Sequence, residues 1–242
     1  MDHGDGANRN LLFGLLALQN GRIDQAQLVA AFQSSTRDKA RPLADHLSAR
    51  GGLDADGRAA VEAMVALHDY RFRLTVSFNM AGDLARQLGR IDALGDFAVK
   101  ARDLMEAIHR ADPKSTTYTE NLSKAFNNLG RFQAAKDRRA EALASFRRSI
   151  ELRMAKPADD PEGVYNLACY LALALSVIDD ADGPEREALA TQAIAALRRA
   201  FAKGVTAIEI YRTDSDLDSL RNRDDFRLFL MDIVMPKRPF AR

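Results

Sequence analysis

The chain has 242 residues, 47% hydrophobic and 29% charged, with 35 Lys and Arg against 34 Asp and Glu, a formal net charge of +1. That composition is globular, with neither a disordered nor a fibrous bias. The charge balance argues against bulk attraction to nucleic acid or to an anionic membrane surface, so neither is expected as a partner.

Ala, Leu and Arg dominate, residues that enter helices at little entropic cost, and no stretch alternates cleanly enough for a strand. The fold class expected is all-α. Residues 1–8 read as a polar tail. Leu11–Gln19 reads as an apolar helix stopped by Asn20-Gly21. Asp24 then caps a helix running to about Ser34. Pro42 fits the first turn of a helix reaching Ala49, Gly51-Gly52 stops it, and Asp54 caps another running toward His68.

This first segment repeats itself at an offset of 30 residues: Gly21 aligns with Gly51, Ile23 with Leu53, Asp24 with Asp54 and Ala30 with Ala60. Two related helical hairpins over 9–68 are expected, each burying its apolar face on the other.

From about residue 69 a second series begins, broken at Gly89, Asp112-Pro113, Pro157–Pro161, Asp179–Pro184 and Gly204. Its clearest unit is Asn127–Leu152, where Leu129-Gly130 opens a close helix crossing. Ala142, Phe146 and Ser149 follow on one face of the next helix. Ala81-Gly82 with Leu94, Ala98 and Ala101 repeats the pattern earlier, and Asn166-Leu167-Ala168 with Ala193, Leu197 and Ala200 repeats it later.

Those three units resemble tetratricopeptide (TPR) repeats over roughly 75–203. The small positions Gly82, Gly130 and Ala168 are 48 and 38 residues apart, longer than the strict repeat, so the helices or loops must be extended. The stretch Ala202–Phe226, with Asp214-Ser215-Asp216-Leu217-Asp218-Ser219-Leu220-Arg221 at its centre, is similar to the ending of many bacterial TPR proteins. It implies a capping segment over 204–242. Arg9–His68 resembles the region ahead of the catalytic domain in large planctomycete-type serine/threonine protein kinases that also carry TPR arrays.

No kinase accompanies that likeness. Gly4-Asp5-Gly6 lacks a third glycine, His109-Arg110-Ala111-Asp112 is a broken catalytic loop, and Asp96-Phe97-Ala98 is a broken metal-binding motif in the wrong order. No enzymatic activity is expected. The four histidines (His3, His46, His68 and His109) form no metal-ligand pair, and Cys169, the only cysteine, sits on an apolar stretch as a core residue. No metal or cofactor is expected. A single cysteine and a polar N-terminus without a secretory pattern imply a cytoplasmic protein.

The TPR resemblance implies a concave groove lined by the first helix of each repeat, meeting a protein or peptide partner through Asn79, Asp83 and Arg86, through Lys124, Asn127, Asn128 and Arg131, and through Tyr165 and Asn166. The expected function is a non-catalytic scaffold or adaptor in bacterial signalling, with a serine/threonine kinase among the candidate partners. Two alternatives stay open. One is a kinase relative that has lost its catalytic domain. The other is a cyclic-dinucleotide sensor built on 9–68, which is similar to the helical domain of type II secretion and pilus ATPases. Phe13-Gly14, Gly21 and Leu28, then Leu43-Ala44, Leu47 and Gly51, carry that second likeness. Leu12 and Pro42 stand where it has phosphate-facing arginines, with Arg41 one residue away. The basic pairs Arg138-Arg139, Arg147-Arg148 and Arg198-Arg199 read as a solvated outer face.

Overall fold

A computed structural model of the chain describes the backbone of residues 3–38, 41–155, 160–179 and 181–235, with side chains from Arg9 onward. Among these residues the protein is all-α, with sequential helices packed in antiparallel pairs. The eleven α-helices are α1 (His3–Gln19), α2 (Gln25–Arg37), α3 (Leu43–Ala49), α4 (Ala55–Gln87), α5 (Ile91–Ala111), α6 (Thr116–Ala135), α7 (Arg139–Ala155), α8 (Pro161–Val177), α9 (Gly183–Lys203), α10 (Ile208–Thr213) and α11 (Asp224–Val234). A 3₁₀ turn, Ser215–Leu220, lies between the last two. The chain divides into two compact units, Met1–Arg73 and Leu74–Arg242.

In the first unit, α1, α2, α3 and the start of α4 share a core of Leu12, Phe13, Ala17, Leu28, Leu43, Leu47, Val61 and Val65. The two segments aligned in the sequence share several local features. Gly21 and Gly51 both adopt a left-handed backbone, φ 64° and 69°, where a Cβ would strain the chain. The apolar residue two positions on, Ile23 or Leu53, is buried in both copies. Asp24 accepts the Gln27 amide at 2.7 Å while the Gln27 side chain accepts the Asp24 amide, a complete capping box. Asp54 likewise accepts the Gly57 amide at 2.7 Å.

Two expectations for this region change. The backbone is already helical from His3, so residues 3–8 are not the tail expected of them; they extend the apolar helix that follows. The helix that starts after Asp54 does not stop near His68 but runs unbroken to Gln87, through the division between the two units. No proline occurs between Ala55 and Gln87, and nothing after His68 supplies a stop until Gly89, at φ 68°, turns the chain.

In the second unit, α5 packs on α6, α6 on α7, α7 on α8, and α8 on α9. The expected one-faced triplets are the packing residues: Leu94, Ala98 and Ala101; Ala142, Phe146 and Ser149; and Ala193, Leu197 and Ala200 are all buried. Small residues permit the close crossings. A Cβ on Gly130 would lie 2.7 Å from the Phe146 ring, and one on Gly95 would lie 2.6 Å from the Phe132 ring. Phe146 itself is fully enclosed, worth about 2–3 kcal/mol of burial. Across the α6–α7 crossing, Ser123 Oγ donates to the Ser149 carbonyl at 2.9 Å and Ser149 Oγ to the Ser123 carbonyl at 2.8 Å, so both hydroxyls are satisfied in the core. The acidic loop expected over Asp179–Glu187 is shorter than that, because α9 begins at Gly183.

The C-terminal segment closes the stack. Tyr211, Leu217, Leu220, Phe226 and Phe229 are fully or almost fully buried and join the core that α7, α8 and α9 build. Tyr211 stands edge-on to Tyr165 at 5.5 Å and to Phe229 at 5.3 Å, with its hydroxyl donating to the Val205 carbonyl at 2.6 Å. The tail residues 236–242 lie outside the described residues, as do 1 and 2. Among the described residues no helix is long and apolar enough to cross a membrane.

Candidate functional site

The nine residues expected to face a partner do not share one environment. Asp83 on α4 and Lys124 on α6 are exposed, while Arg86 and Asn166 are half-buried. Asn79, Asn127, Asn128 and Tyr165 are buried, so the expectation that they face solvent is corrected. The helix pairs are packed closely enough that these side chains serve the crossings. Asn79 Nδ2 donates to the Asn121 carbonyl of α6 at 3.2 Å, and Asn128 lies against Gly82 of α4.

Not every polar atom there is satisfied. Asn79 Oδ1, Asn127 Oδ1 and Arg86 Nε are buried without a hydrogen-bond partner. Buried polar atoms are normally paired, which marks the α4–α6 surface as polar beneath its exposed layer.

Arg131 and Tyr165 have a different fate, because the chain itself takes them. Arg131, on α6, makes a two-pronged ion pair with Asp216 of the 3₁₀ turn, one prong at 2.7 Å from Nη1 to Oδ1 and the other from Nη2 to Oδ2. Both side chains are 13% exposed. Burial disfavours the guanidinium cation, but the hydrogen bonds and charge of Asp216 outweigh it, and the pKa of Arg131 stands above its ordinary value. Tyr165, on α8, donates to Asp214 Oδ2 at 2.8 Å. Burial, then the neighbouring Cys169 and the Asp214 carboxylate, push the Tyr165 phenol well up. The turn is fixed from its own side as well: Asp214 Oδ1 accepts the Asp216 amide at 2.9 Å, Arg221 donates to the Asp214 carbonyl at 2.7 Å, and Ser219 Oγ donates to the Ala172 carbonyl at 2.6 Å.

Cys169 completes this cluster, buried with Sγ 3.9 Å from Asp214 Oδ2. Burial, with Asp216 and Asp214 adding to it, pushes the thiol well up, which keeps it protonated and a poor nucleophile. Ligand atoms of Cys169, Asp214 and Asp216 lie within 4.8 Å of one another. Asp216 is already neutralised by a guanidinium and Asp214 already accepts a phenol, so the chemistry is that of a buried ion pair.

The remaining sequence candidates are absorbed by packing. Phe97 stacks on Phe78 at 6.0 Å and Ala98 is buried, so Asp96-Phe97-Ala98 belongs to the face of α5. The basic pairs meet carboxylates: Arg147 holds Glu185 at 2.7 Å, Arg198 holds Asp232 at 2.8 Å, and Arg148 holds Glu151 at 3.1 Å. In the first unit, Arg41 donates to the Asp45 carbonyl at 3.3 Å, and Arg58 bridges Asp45 and Glu62 at 2.6 and 2.8 Å. Sequence reasoning does not reveal the turn around Asp214 and Asp216 as a partner for Arg131. The signal was the acidic spacing of those two aspartates, which reads equally well as solvated surface.

No protein-family model, no curated protein and no solved structure matches this chain.

Proposed function

We propose that the protein is a non-catalytic interaction module of TPR type, in which α4–α5, α6–α7 and α8–α9 are the repeats. Its partner, a peptide or protein segment, meets the first helices α4 and α6 at Asp83 and Lys124, extending to Arg86 and Asn166. A serine/threonine kinase is one partner class to test. The observation that carries this reading is the seating of the chain's own acidic turn. Asp214 and Asp216 are gripped by Tyr165 and Arg131, so α6 and α8 already hold a carboxylate-bearing segment. The exposed Lys124 and the underlying amides of Asn79 and Asn127 continue polar character along α4 and α6. Asn side chains suit the backbone of a bound segment, and Lys suits its carboxylates.

The test is affinity capture by the parent chain and by the double variant Asp83→Lys/Lys124→Glu. Both positions are exposed, so the variant keeps its fold, checked by circular dichroism. Partners held by the parent and lost by the variant support the reading. Partners held equally by both move the function away from α4 and α6.

A further inference from the structure

Both ends of the second unit's helix stack carry an apolar face that the described residues of that unit leave exposed. At the start, α4 packs on α5 and α6 through the side bearing Phe78, Asn79, Gly82 and Ala85. Helical spacing puts Ser77, Met80, Leu84 and Gln87 on the opposite side, with Leu88 just beyond. None of these carries a charge, in a chain that is 29% charged. Met80, Leu84 and Leu88 are 55–68% exposed. At the other end, α11 buries Phe226, Phe229 and Ile233. Leu228, Met231 and Met235 point the other way and are 56–66% exposed. Each stripe is about 11–12 Å long, and single exposed apolar residues are ordinary whereas two such stripes are not.

We propose that these two faces fit each other, so that α11 of one copy packs on α4 of the next in a head-to-tail association of the chain with itself. The internal packing supplies the template. Each time one helix pair meets the next, the second helix of the first pair covers the first helix of the following one: α5 on α6, then α7 on α8. Among the described residues of this unit, α4 is the first helix and its outer side has no such cover, while α11 is the last and its outer side, away from α9 and α10, covers nothing. An antiparallel approach, as between successive helices within the chain, sets Leu228 opposite Leu88, Met231 opposite Leu84 and Met235 opposite Met80. The same register brings Asp224, one turn before Leu228, beside Arg90, two residues after Leu88; both are exposed. Opposite charges at the rim and uncharged residues at the centre are the pattern of a specific interface. Methionine at both ends adapts to an imperfect surface. Because the two patches differ, the contact is heterologous and propagates, leaving one free face at each end of a chain of copies.

Sedimentation velocity on the full chain over a range of concentrations tests this, with the variants Leu84→Asp and Met231→Asp. Both substitutions are at exposed sites, and circular dichroism verifies the fold. The parent is expected to grow past a dimer as concentration rises. Each variant alone stays at the mass of one chain, because a central unpaired carboxylate weakens the contact about tenfold or more. Mixing the two variants restores a 1:1 pair and nothing larger, since Leu84→Asp keeps its α11 face and Met231→Asp keeps its α4 face. A parent that stays monomeric at every concentration overturns the proposal. So does a single variant that still associates like the parent, which would mean like faces pairing. So does a mixture that fails to pair, which would mean the faces fit some other protein.

Discussion

The guanidinium of Arg131 and the carboxylate of Asp216 meet 85 residues apart in sequence and form a two-pronged pair that is mostly shielded from water. This contact ties the 3₁₀ turn to α6, over and above the turn's packing on α8. Breaking one side leaves the other charge buried alone, which is costly, whereas replacing both with apolar groups is far less so. Arg131→Met and Asp216→Leu are therefore each expected to lower the unfolding free energy by about 3 kcal/mol, and Arg131→Met/Asp216→Leu by less than either single change. Urea unfolding of the four chains checks this, and strictly additive losses would contradict a coupled pair.

Two glycines at helix crossings of the second unit predict opposite outcomes. A Cβ at Gly130 would press on the Phe146 ring at 2.7 Å, while one at Gly82 meets Asn128 Nδ2 and the Leu94 methyl at 3.4 and 3.6 Å. Gly130→Ala is expected to destabilise by about 1–3 kcal/mol through overpacking. Gly82→Ala fits ordinary contact distances and gains about 0.5–1 kcal/mol from helix propensity. Thermal melts that fail to move the two variants in opposite directions would contradict the crossing geometry.

Burial of Cys169, reinforced by Asp216 and Asp214, holds its thiol protonated and out of reach. The native protein is expected to react with a thiol-specific disulfide reagent about a hundredfold or more slowly than the denatured chain. Asp216→Ala should speed the native reaction, because labelling must wait for the C-terminal turn to open. Equal rates in native and denatured protein would show that the turn does not cover Cys169.

Arg223 bridges Glu187 at 2.7 Å and Asp225 at 2.9 Å. Its hydrogen bonds are the first cause holding both carboxyls below their ordinary values. A lowered folded-state pKa gives stability that is present above the unfolded value and is lost as pH falls through the folded value. Arg223→Gln should bring both carboxyls back toward 4.5 and 3.8, read by NMR titration. Any stability gap between parent and variant should be present at neutral pH and close as the pH falls below those values. Glu187 is exposed and Asp225 half-buried, so the gap is small and shrinks with salt.

Much of the helix register was legible because it depends on local chemistry. Gly21 and Gly51 stop helices, Asp24 and Asp54 start them, and Ala142, Phe146 and Ser149 share a face because of helical spacing alone. The extent of α4 was not legible: His68 ends the apolar pattern of the first segment, but only a true stop ends a helix, and Gly89 is that stop. Nor was the fate of the groove residues. Asn128 and Tyr165 read as ligand contacts by their place in the repeat, yet their burial depends on Gly82 and Tyr211, far away in sequence. The partner of Arg131 depends on how the C-terminal turn folds back, which no local pattern encodes.

The proposed partner surface on α4 and α6 is tested most directly by site-specific photo-crosslinking. A photoreactive side chain is placed at the exposed Lys124 of α6 in one chain, and at the exposed Ala144 of α7 in another. Crosslinks to one protein from position 124, absent from position 144 and competed away by unlabelled parent chain, are the predicted result. Equal crosslinking from both positions, or capture from 144 alone, would contradict a binding surface on the first helices.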